Sequence, residues 1–233
     1  MITSKQNPSF KTWMKLKQKK YRDQLGLFLV YGDHLVDEAK KHHCIKEIIT
    51  INKEIEGTLV SEELMSLLSQ TETTFEVMAV VFKKNEIKKS HRVLILEDVR
   101  DPDNVGALLR SALAFGFYHV ILSPKSADFY NEKVIRASQG ALFGIYMERK
   151  PIHQAVKDLK AKDFTIFYAD AHKGHSKKQA QRIAIILGHE GKGVSQEIKN
   201  LSDDSLHIET RHVESLNVSV AGAILMHEWR AFK

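Results

Sequence analysis

The chain has 233 residues, of which 43% are apolar, and it carries a net charge of +6 with an isoelectric point of about 9.2. This apolar fraction, with only four prolines, argues against disorder and suffices for two modest domains or one large one. The positive charge favours an anionic partner such as nucleic acid, although a merely basic soluble protein has the same balance.

The cysteine count, the hydropathy and the motifs exclude several compartments and several kinds of chemistry. Cys44 is the single cysteine, which excludes an internal disulfide and fits a reducing compartment. No apolar run approaches the ~18 residues of a membrane span, and the N-terminus lacks the apolar core of a signal peptide. We therefore expect a cytoplasmic protein. The twelve histidines show no recognised metal-ligand spacing, so no metal is predicted, and the absence of a G-x-S-x-G motif argues against covalent hydrolysis.

A basic N-terminal segment precedes the first acidic residue, Asp23. Aromatic and apolar side chains alternate with its cations, which suits RNA, whose phosphates bind Lys and Arg and whose bases stack on rings. An amphipathic helix packed on its own domain gives the same pattern, and the two interpretations are compatible. The cations are Lys5, Lys11, Lys15, Lys17, Lys19, Lys20 and Arg22, and the interleaved side chains are Phe10, Trp13, Met14, Leu16 and Tyr21.

The residues up to 82 show the pattern of a small α/β unit, which we take as an N-terminal domain of residues 1–82. Residues 83–91 have no periodicity and are predicted to form a linker. The predicted strands are 27–32, 45–52 and 75–82, and the predicted helices run from Asp33 to about Lys41 and from a Ser61 cap to about Leu68.

From residue 92 onward, apolar runs alternate with helical patterns, which defines a second domain of residues 92–233. Apolar runs without alternation are typical of strands buried on both faces, so the pattern predicts a mainly parallel sheet covered by helices. The predicted strands are 93–97, 118–122, 142–148, 164–170, 182–188 and 205–208, and the predicted helices are 104–115, 131–138, 152–162, 195–200 and a final one ending near Trp229.

Ligands bind beyond the carboxyl ends of the strands in sheets of this kind. Three loops with chemically useful side chains begin there, after Glu97, Leu187 and Ile208. The sequence therefore predicts one pocket built from three segments that lie far apart along the chain.

The first segment contains an Asp-Pro pair at 101–102 that predicts a turn, after which Asp103 or Asn104 caps a helix. Arg110 falls on the polar flank of that helix, free to face a ligand above the sheet, although an exposed helical arginine is the plainer interpretation. The predicted buried stripe is Val105, Leu108, Leu109, Ala112 and Leu113.

The second segment is rich in glycine. Gly188, Gly191 and Gly193 put bare backbone after a strand, where a ligand can come close. Neither a phosphate loop nor the G-x-G-x-x-G dinucleotide motif matches. Glu190 among these glycines could bind a cation, an amine or Arg110, and a flexible turn is the alternative.

The third segment carries Ser215, Asn217 and Ser219 ahead of an apolar helical pattern. Serine and asparagine satisfy free N–H groups at a helix start, and such a start favours the negative end of a ligand. An ordinary capped helix and a binding site are both consistent with this pattern. Glu214 adds a carboxylate at the same place.

Together these segments resemble the SpoU/TrmH family of SPOUT RNA 2′-O-ribose methyltransferases. The matching motifs, in order, are DPDNVGALLRSALAFG, LGHEGKGV and ESLNVSVAGAILMHEW, and the match extends between them through ADFYNEKVIRASQGALF. The N-terminal residues resemble the small ribosomal-protein-L30e-like substrate-binding domain that often precedes this catalytic domain. The resemblance thus covers nearly the whole chain.

The resemblance implies a parallel α/β domain whose C-terminal segment threads a loop to form a trefoil knot, an exception to the rule that chains are unknotted. It also implies a homodimer that binds S-adenosylmethionine bent in the knot. The backbone of Gly188, Ile208 and Leu216 would hold this cofactor. The cofactor-binding residues that the resemblance implies are Leu187, Gly188, Glu190, Gly193, Ile208, Leu216, Asn217 and Ser219.

The resemblance makes Arg110 the key catalytic residue, with Asn104, Glu190, Ser215 and Asn217 around it. A role as base is awkward because arginine stays charged in proteins. Alternatively, Arg110 clamps the adjacent phosphate and stabilises the developing oxyanion while water takes the proton. Glu190 would orient Arg110 through a paired hydrogen bond.

One loop departs from the family pattern. The family usually reads I-P-M or I-P-I, then a few residues including a glycine, then S-L-N, whereas residues 208–213 lack the proline and are one residue shorter. We expect cofactor binding through backbone groups to persist and the contacts to the adenine to differ. The expected substrate is 23S ribosomal RNA, with transfer RNA second. The alternatives are a non-catalytic RNA-binding factor that kept the fold and a methyltransferase acting on a base.

Overall fold

The computed structural model describes residues 1–69, 74–83, 90–172, 174 and 180–230. Most of the predicted linker 83–91 lies outside the described residues. Over the described ranges, no helix has the length and apolar character needed to cross a membrane.

A four-stranded sheet forms the N-terminal half. Its strands are β1 (Leu27–Tyr31), β2 (Ile45–Thr50), β3 (Thr58–Leu59) and β4 (Val77–Phe82), and its helices are α1 (Pro8–Lys15), α2 (Lys19–Leu25), α3 (Asp33–Lys41) and α4 (Glu62–Leu68). The strand order is β1-β4-β2-β3, with β4 antiparallel to both neighbours and β2 parallel to β3. The predicted α/β unit is confirmed. The sequence missed β3 because two residues give no recognisable strand pattern.

The basic N-terminal segment forms α1 and α2. Phe10, Trp13 and Leu16 are buried in the core of this half, and the Trp13 indole Nε1 donates to Glu47 Oε2 at 3.2 Å. Most of the segment's lysines stay at the surface. The packed amphipathic helix is therefore confirmed, and these three side chains are not available to stack on bases.

A six-stranded sheet forms the C-terminal half. Its strands are β5 (Arg92–Leu96), β6 (His119–Leu122), β7 (Tyr146–Arg149), β8 (Thr165–Ala169), β9 (Ile183–Leu187) and β10 (Asp204–Leu206), and its helices are α5 (Pro102–Ala114), α6 (Glu132–Ser138), α7 (Ile152–Lys160), α8 (Gln196–Leu201) and α9 (Val218–Glu228). The order is β10-β8-β9-β5-β6-β7, and every pair is parallel. All residues of β9 are buried, which explains its apolar run without alternation.

Two predicted boundaries are wrong. Helix α5 begins at Pro102, and Asp101 caps it by accepting from the Asp103 N–H at 2.9 Å. The Asp-Pro pair interpreted as a turn is thus the cap and first residue of the helix, positions that Asp and Pro favour. The predicted strand 142–148 divides into a 3₁₀ helix at Ala141–Gly144 and β7, because a short apolar run fits either structure.

The chain crosses the carboxyl edge of the large sheet between β10 and α9. Strand β10 lies at the outer edge, whereas α9 packs against α5 beside the centre. The packing is close at Gly222, where an added Cβ would lie 2.4 Å from the Leu108 side chain and 2.6 Å from that of Leu187. The crossing brings the third predicted segment beside the other two.

One apolar cluster spans both sheets. Phe28 on β1 contacts Tyr130, with ring centroids 4.7 Å apart, and stacks on Phe143 at 6.2 Å. Beside the cluster, Arg22 of α2 forms an ion pair of 2.7 Å with Asp128, and their side chains are 7% and 17% exposed. The two halves therefore share a core and are not merely tethered.

Helix α5 also packs closely on α6. A Cβ added at Gly106 would lie 2.4 Å from the Ala137 Cβ and 2.7 Å from the Val134 carbonyl oxygen. Gly106→Ala should therefore lower the free energy of unfolding by about 1–3 kcal/mol, measured by urea denaturation, despite the higher helix propensity of alanine. Gly191→Ala is the control, because its nearest neighbour is the His189 ring at 4.0 Å. Equal stability of the two variants would contradict the tight contact.

Candidate active site

A cavity of about 340 Å³ opens at the carboxyl edge of the large sheet. All three loops expected from the sequence border this edge. Two of them, the loop after β9 and the loop after β10, supply walls of the cavity. Of the predicted site residues, Leu187, Gly188, Glu190, Gly193, Ile208, Ser215 and Leu216 line it. Three segments that are distant along the chain are thus assembled at one rim of the sheet.

The glycine loop after β9 folds back on itself. A Cβ at Gly188 would lie 2.1 Å from the Gly193 carbonyl carbon and 2.2 Å from the Val194 nitrogen, so only glycine fits there. Gly193 has a φ of +66°, in the left-handed region that favours glycine. This close approach leaves the backbone of the loop as the wall of the cavity.

Glu190 connects this loop to the start of α5. Its Oε1 accepts hydrogen bonds from the backbone N–H groups of Arg100 at 3.2 Å and Asp101 at 3.1 Å, and from Asn104 Nδ2 at 3.4 Å. The first two donors belong to the turn that leads into α5, and Asn104 lies in the first turn of that helix. The carboxylate therefore fixes the first segment against the second.

Asn104 continues the connection to the third segment. Its side chain is buried, and its Oδ1 accepts from Asn217 Nδ2 at 3.1 Å. Asn217 caps α9, where its Oδ1 accepts from the backbone N–H of Ser219 at 2.8 Å and from its hydroxyl at 2.6 Å. Asn104, Asn217 and Ser219 thus brace the rim without lining the cavity.

Arg110 lies apart from this network. It is exposed on α5, two turns beyond Asn104, and within the described part of the chain its guanidinium has no hydrogen bond or salt bridge. The hydrogen bond expected between Glu190 and Arg110 is not formed. The reason is that free N–H groups ahead of α5 occupy the carboxylate.

Two family descriptions match the chain. Residues 91–227 match the SpoU rRNA methylase family, and residues 7–84 match the MRM3-like substrate binding domain. The chain belongs to the SpoU rRNA methylase family. The predicted family, the α/β fold with its N-terminal substrate-binding domain, and the RNA methyltransferase activity are confirmed.

Relatives and solved structures agree with this membership. The chain is 33% identical to the 23S rRNA (guanosine(2553)-2′-O)-methyltransferase RlmP of Bacillus subtilis (strain 168) over 98% of both chains. It is similar in fold to an AdoMet-bound rRNA methyltransferase from Sinorhizobium meliloti, with a TM-score of 0.86 at 22% identity over 97% of this chain and 95% of the other. The SpoU methyltransferase AviRb from Streptomyces viridochromogenes, in complex with AdoMet, gives a TM-score of 0.82 at 22% identity over 96% and 97%.

The Glu190 carboxylate of this SpoU methylase is held in its charged form. Partial burial acts to raise the pKa of Glu190, but hydrogen bonds from its own N–H, Asp101, Asn104 and Arg100 outweigh burial and lower it. Glu190 therefore brings a fixed negative charge to the cavity and to the start of α5.

A second carboxylate, which the sequence analysis did not identify, holds the far end of the glycine loop. Glu97 accepts from the Ser195 backbone N–H at 2.8 Å and from its hydroxyl at 2.6 Å. The backbone N–H of Glu97 also donates to the Leu187 carbonyl at 2.8 Å. The sequence did contain a signal for this role, because Glu97 is a carboxylate directly after a buried strand.

The loop after β8 also lines the cavity and was missed by the sequence analysis. It contributes Asp170 and His172, and Lys199 of α8 donates to Asp170 Oδ2 at 2.7 Å. The loop carries no motif, so only the strand order, with β8 between β10 and β9, would have revealed it. The shortened loop after β10 still forms a wall, through Ile208 and Thr210.

The lowered pKa of Glu190 gives a pH-dependent prediction. Its charge contributes stability that is fully present above its ordinary pKa of 4.5 and is lost as the pH falls through the lower folded-state value. Glu190→Gln should therefore reduce the free energy of unfolding by roughly 0.3–1 kcal/mol at neutral pH, and the difference should shrink below pH 4.5. Urea denaturation of the wild type and of Glu190→Gln, from neutral pH to below pH 4.5, measures this difference in the free energy of unfolding.

Glu214→Gln is the matched control, since Glu214 is exposed, lines the same cavity and has no hydrogen-bond partner among the described residues. A Glu190→Gln difference that persists unchanged into acid would contradict the charge-based account.

Proposed function

We propose that this SpoU-family enzyme transfers the methyl group of S-adenosylmethionine to a ribose 2′-hydroxyl of 23S ribosomal RNA. The observation that carries the proposal is the junction of three segments through Glu190, Asn104 and Asn217 at the rim of one cavity. The substrate is supported by the relative of Bacillus subtilis, which is named for this reaction and aligns with the full chain. Because ribosomal RNA would be its substrate, we assign the enzyme to the cytoplasm.

The cavity fits the proposed methyl donor. Its volume lies within the roughly 300–1,000 Å³ of small-molecule sites, and apolar Leu206 and Leu225 share its lining with polar groups. Gly188 lets the loop fold tightly on itself, and Gly193 has open space where a side chain would begin, so both glycines leave backbone at the wall of the cavity. When bound, S-adenosylmethionine supplies an electrophilic methyl on a positively charged sulfur, and the Glu190 carboxylate suits that charge. We assign its binding to Leu187, Gly188, Glu190, Gly193, Ile208 and Leu216, with Asn217 and Ser219 supporting the wall.

Arg110 is assigned to the RNA. An exposed guanidinium with no partner in the described residues can bind a phosphate in a bidentate manner and stabilise charge developing on the 2′-oxygen. Because arginine keeps its proton, water takes the proton from the hydroxyl. Asn104, Glu190 and Asn217 hold the surrounding loops, and we assign Ser215, which lines the cavity, to the same site. Correct placement of the 2′-oxygen can itself contribute roughly 7–11 kcal/mol to lowering the barrier.

The proposed enzyme is a homodimer that associates through α9. Val220 on this helix is 48% exposed, and Val213 in the preceding loop is 55% exposed. A helix that is apolar on more than its buried side indicates a further partner, and a two-fold pairing presents the same patch from both chains.

We propose domain limits of 1–82 and 92–233, joined by residues 83–91, and a trefoil knot in the second domain. Two separate sheets and the separate family matches at 7–84 and 91–227 support the limits. The crossing from β10 back to α9, past the glycine loop, supports the knot.

The test uses the purified chain, labelled S-adenosylmethionine and 23S ribosomal RNA from cells that lack the protein. Mass spectrometry of the nuclease-digested product should find the label on a ribose. Arg110→Ala should reduce transfer by about 10²–10³-fold, the loss typical when a group stabilising developing charge is removed. Its affinity for S-adenosylmethionine, measured by calorimetry, should stay near wild type.

Arg182→Ala is the control, because Arg182 precedes β9 at the opposite edge of the sheet. Label on a base would establish base methylation, and no S-adenosylmethionine binding would favour a non-catalytic RNA-binding factor. Wild-type transfer by Arg110→Ala would remove Arg110 from the mechanism.

The dimer makes a separate prediction. Sedimentation equilibrium should give twice the chain mass of 26.6 kDa, and Val220→Glu should shift the protein to monomer by putting a charge in the interface. Leu67→Glu, at an exposed apolar position of α4, should leave the mass unchanged. A wild-type monomer would contradict the assignment.

A further inference from the structure

Two cavities that the proposed methyl-transfer site does not use open at the junction of the two sheets. The junction cavity, of about 260 Å³, is lined by side chains of both halves, including Lys17, Arg22, Tyr31, Glu132 and Lys133. A neighbouring cavity of about 410 Å³ shares Tyr31 and Glu132 with it. Glu132 is therefore part of the lining of both.

Glu132 carries a buried acceptor. It begins α6, its side chain is 13% exposed, and its Oε2 is buried without a hydrogen-bond partner in the described part of the chain. Its Oε1 lies 3.9 Å from Arg136 Nη1, too far for a hydrogen bond. Burial raises the pKa of Glu132. A buried carboxylate oxygen without a donor costs free energy, so a donor that reached this carboxylate from the cavity would recover that cost.

Arg22 adds a buried donor to the same lining. Its terminal nitrogens donate to the Leu16 carbonyl at 2.9 Å, the Lys17 carbonyl at 2.7 Å and Asp128 at 2.7 Å. Its Nε is buried without a partner in the described residues. Two residues of the junction cavity's lining thus each carry a buried polar atom that has no partner in the described residues.

The charges in the lining narrow the class of ligand. A simple anion would suit Lys17 and Lys133 but would be repelled by Glu132, and a simple cation would be repelled by the lysines. A nucleotide suits both the lysines and the carboxylate, since its phosphate pairs with lysine and its base offers N–H groups to a carboxylate.

The junction cavity lies next to the proposed active site. Pro102 contributes to its lining and is also the first residue of α5. The preceding residue, Asp101, donates its N–H to Glu190 at the other cavity. One short turn therefore separates the two cavities, and a single RNA strand can enter both.

We propose that the junction cavity binds a base of the RNA substrate near the methylated nucleotide, with Glu132 accepting hydrogen bonds from the base edge. Guanine fits best, because its N1–H and its N2 amino group stand side by side. Uracil offers one N–H between two carbonyl oxygens, which a carboxylate repels. The inference rests on the proposed function in that the ligand is RNA.

Fluorescence anisotropy with the full chain tests the inference without S-adenosylmethionine. The probes are labelled UUUGUUU and UUUUUUU at one salt concentration. The wild type should bind the guanine-containing heptamer about tenfold more tightly, within the range that one good base contact provides. Glu132→Gln, which loses the paired acceptor, should reduce the ratio to about threefold or less.

Lys133→Gln is the matched control. It should weaken binding of both heptamers by the same factor and keep their ratio, because it removes a phosphate contact. No guanine preference in the wild type, or an unchanged preference in Glu132→Gln, would overturn the inference. Methyl transfer is not needed for this measurement, so either proposal can fail while the other stands.

Thermal unfolding separates a binding role from a structural one. Because the variant removes a buried charge that has no hydrogen-bond donor among the described residues, Glu132→Gln should unfold at the wild-type temperature or above it. A lower unfolding temperature together with an unchanged base preference would make Glu132 a structural residue.

Discussion

The two hydrogen bonds of the Asn104 side chain join the whole rim, because one binds Glu190 of the glycine loop and the other binds Asn217 of the final helix. Two such bonds contribute together about 1–3 kcal/mol, which is too little to hold a chain crossing in place. The apolar contact of α9 with α5, tight at Gly222, supplies the larger share. Packing therefore holds the segments together, and Asn104 sets their orientation.

Sequence patterns were sufficient for most of the helices and strands and for the edge of the sheet where the site lies. Unbroken apolar runs predicted the buried strands, and the glycines around Glu190 identified one wall of the cavity. Two partners of Glu190 were not predictable, because they are backbone N–H groups, which side-chain identity does not reveal. Asp170 was missed for another reason, because its place in the cavity wall depends on the strand order, which local periodicity does not encode.

The core that the two halves share was also not predictable from the sequence. An apolar residue such as Phe28 predicts burial but not the surface that buries it, and its contact with Tyr130 and Phe143 joins residues more than a hundred positions apart. Residues 83–91 were predicted to form a linker, a prediction that does not say how the two halves contact each other. The strand face of one half packs on helices of the other, and the buried Arg22–Asp128 pair requires both halves to be in place.

This fused core has a mechanical consequence. A hinge between the halves would have to separate Phe28 from its aromatic neighbours and expose a buried arginine, so thermal motion changes their spacing little. The N-terminal half therefore keeps a nearly constant distance from the cavity at the carboxyl edge of the large sheet. If the N-terminal half holds the RNA, only sugars that lie at this one distance can reach the cavity.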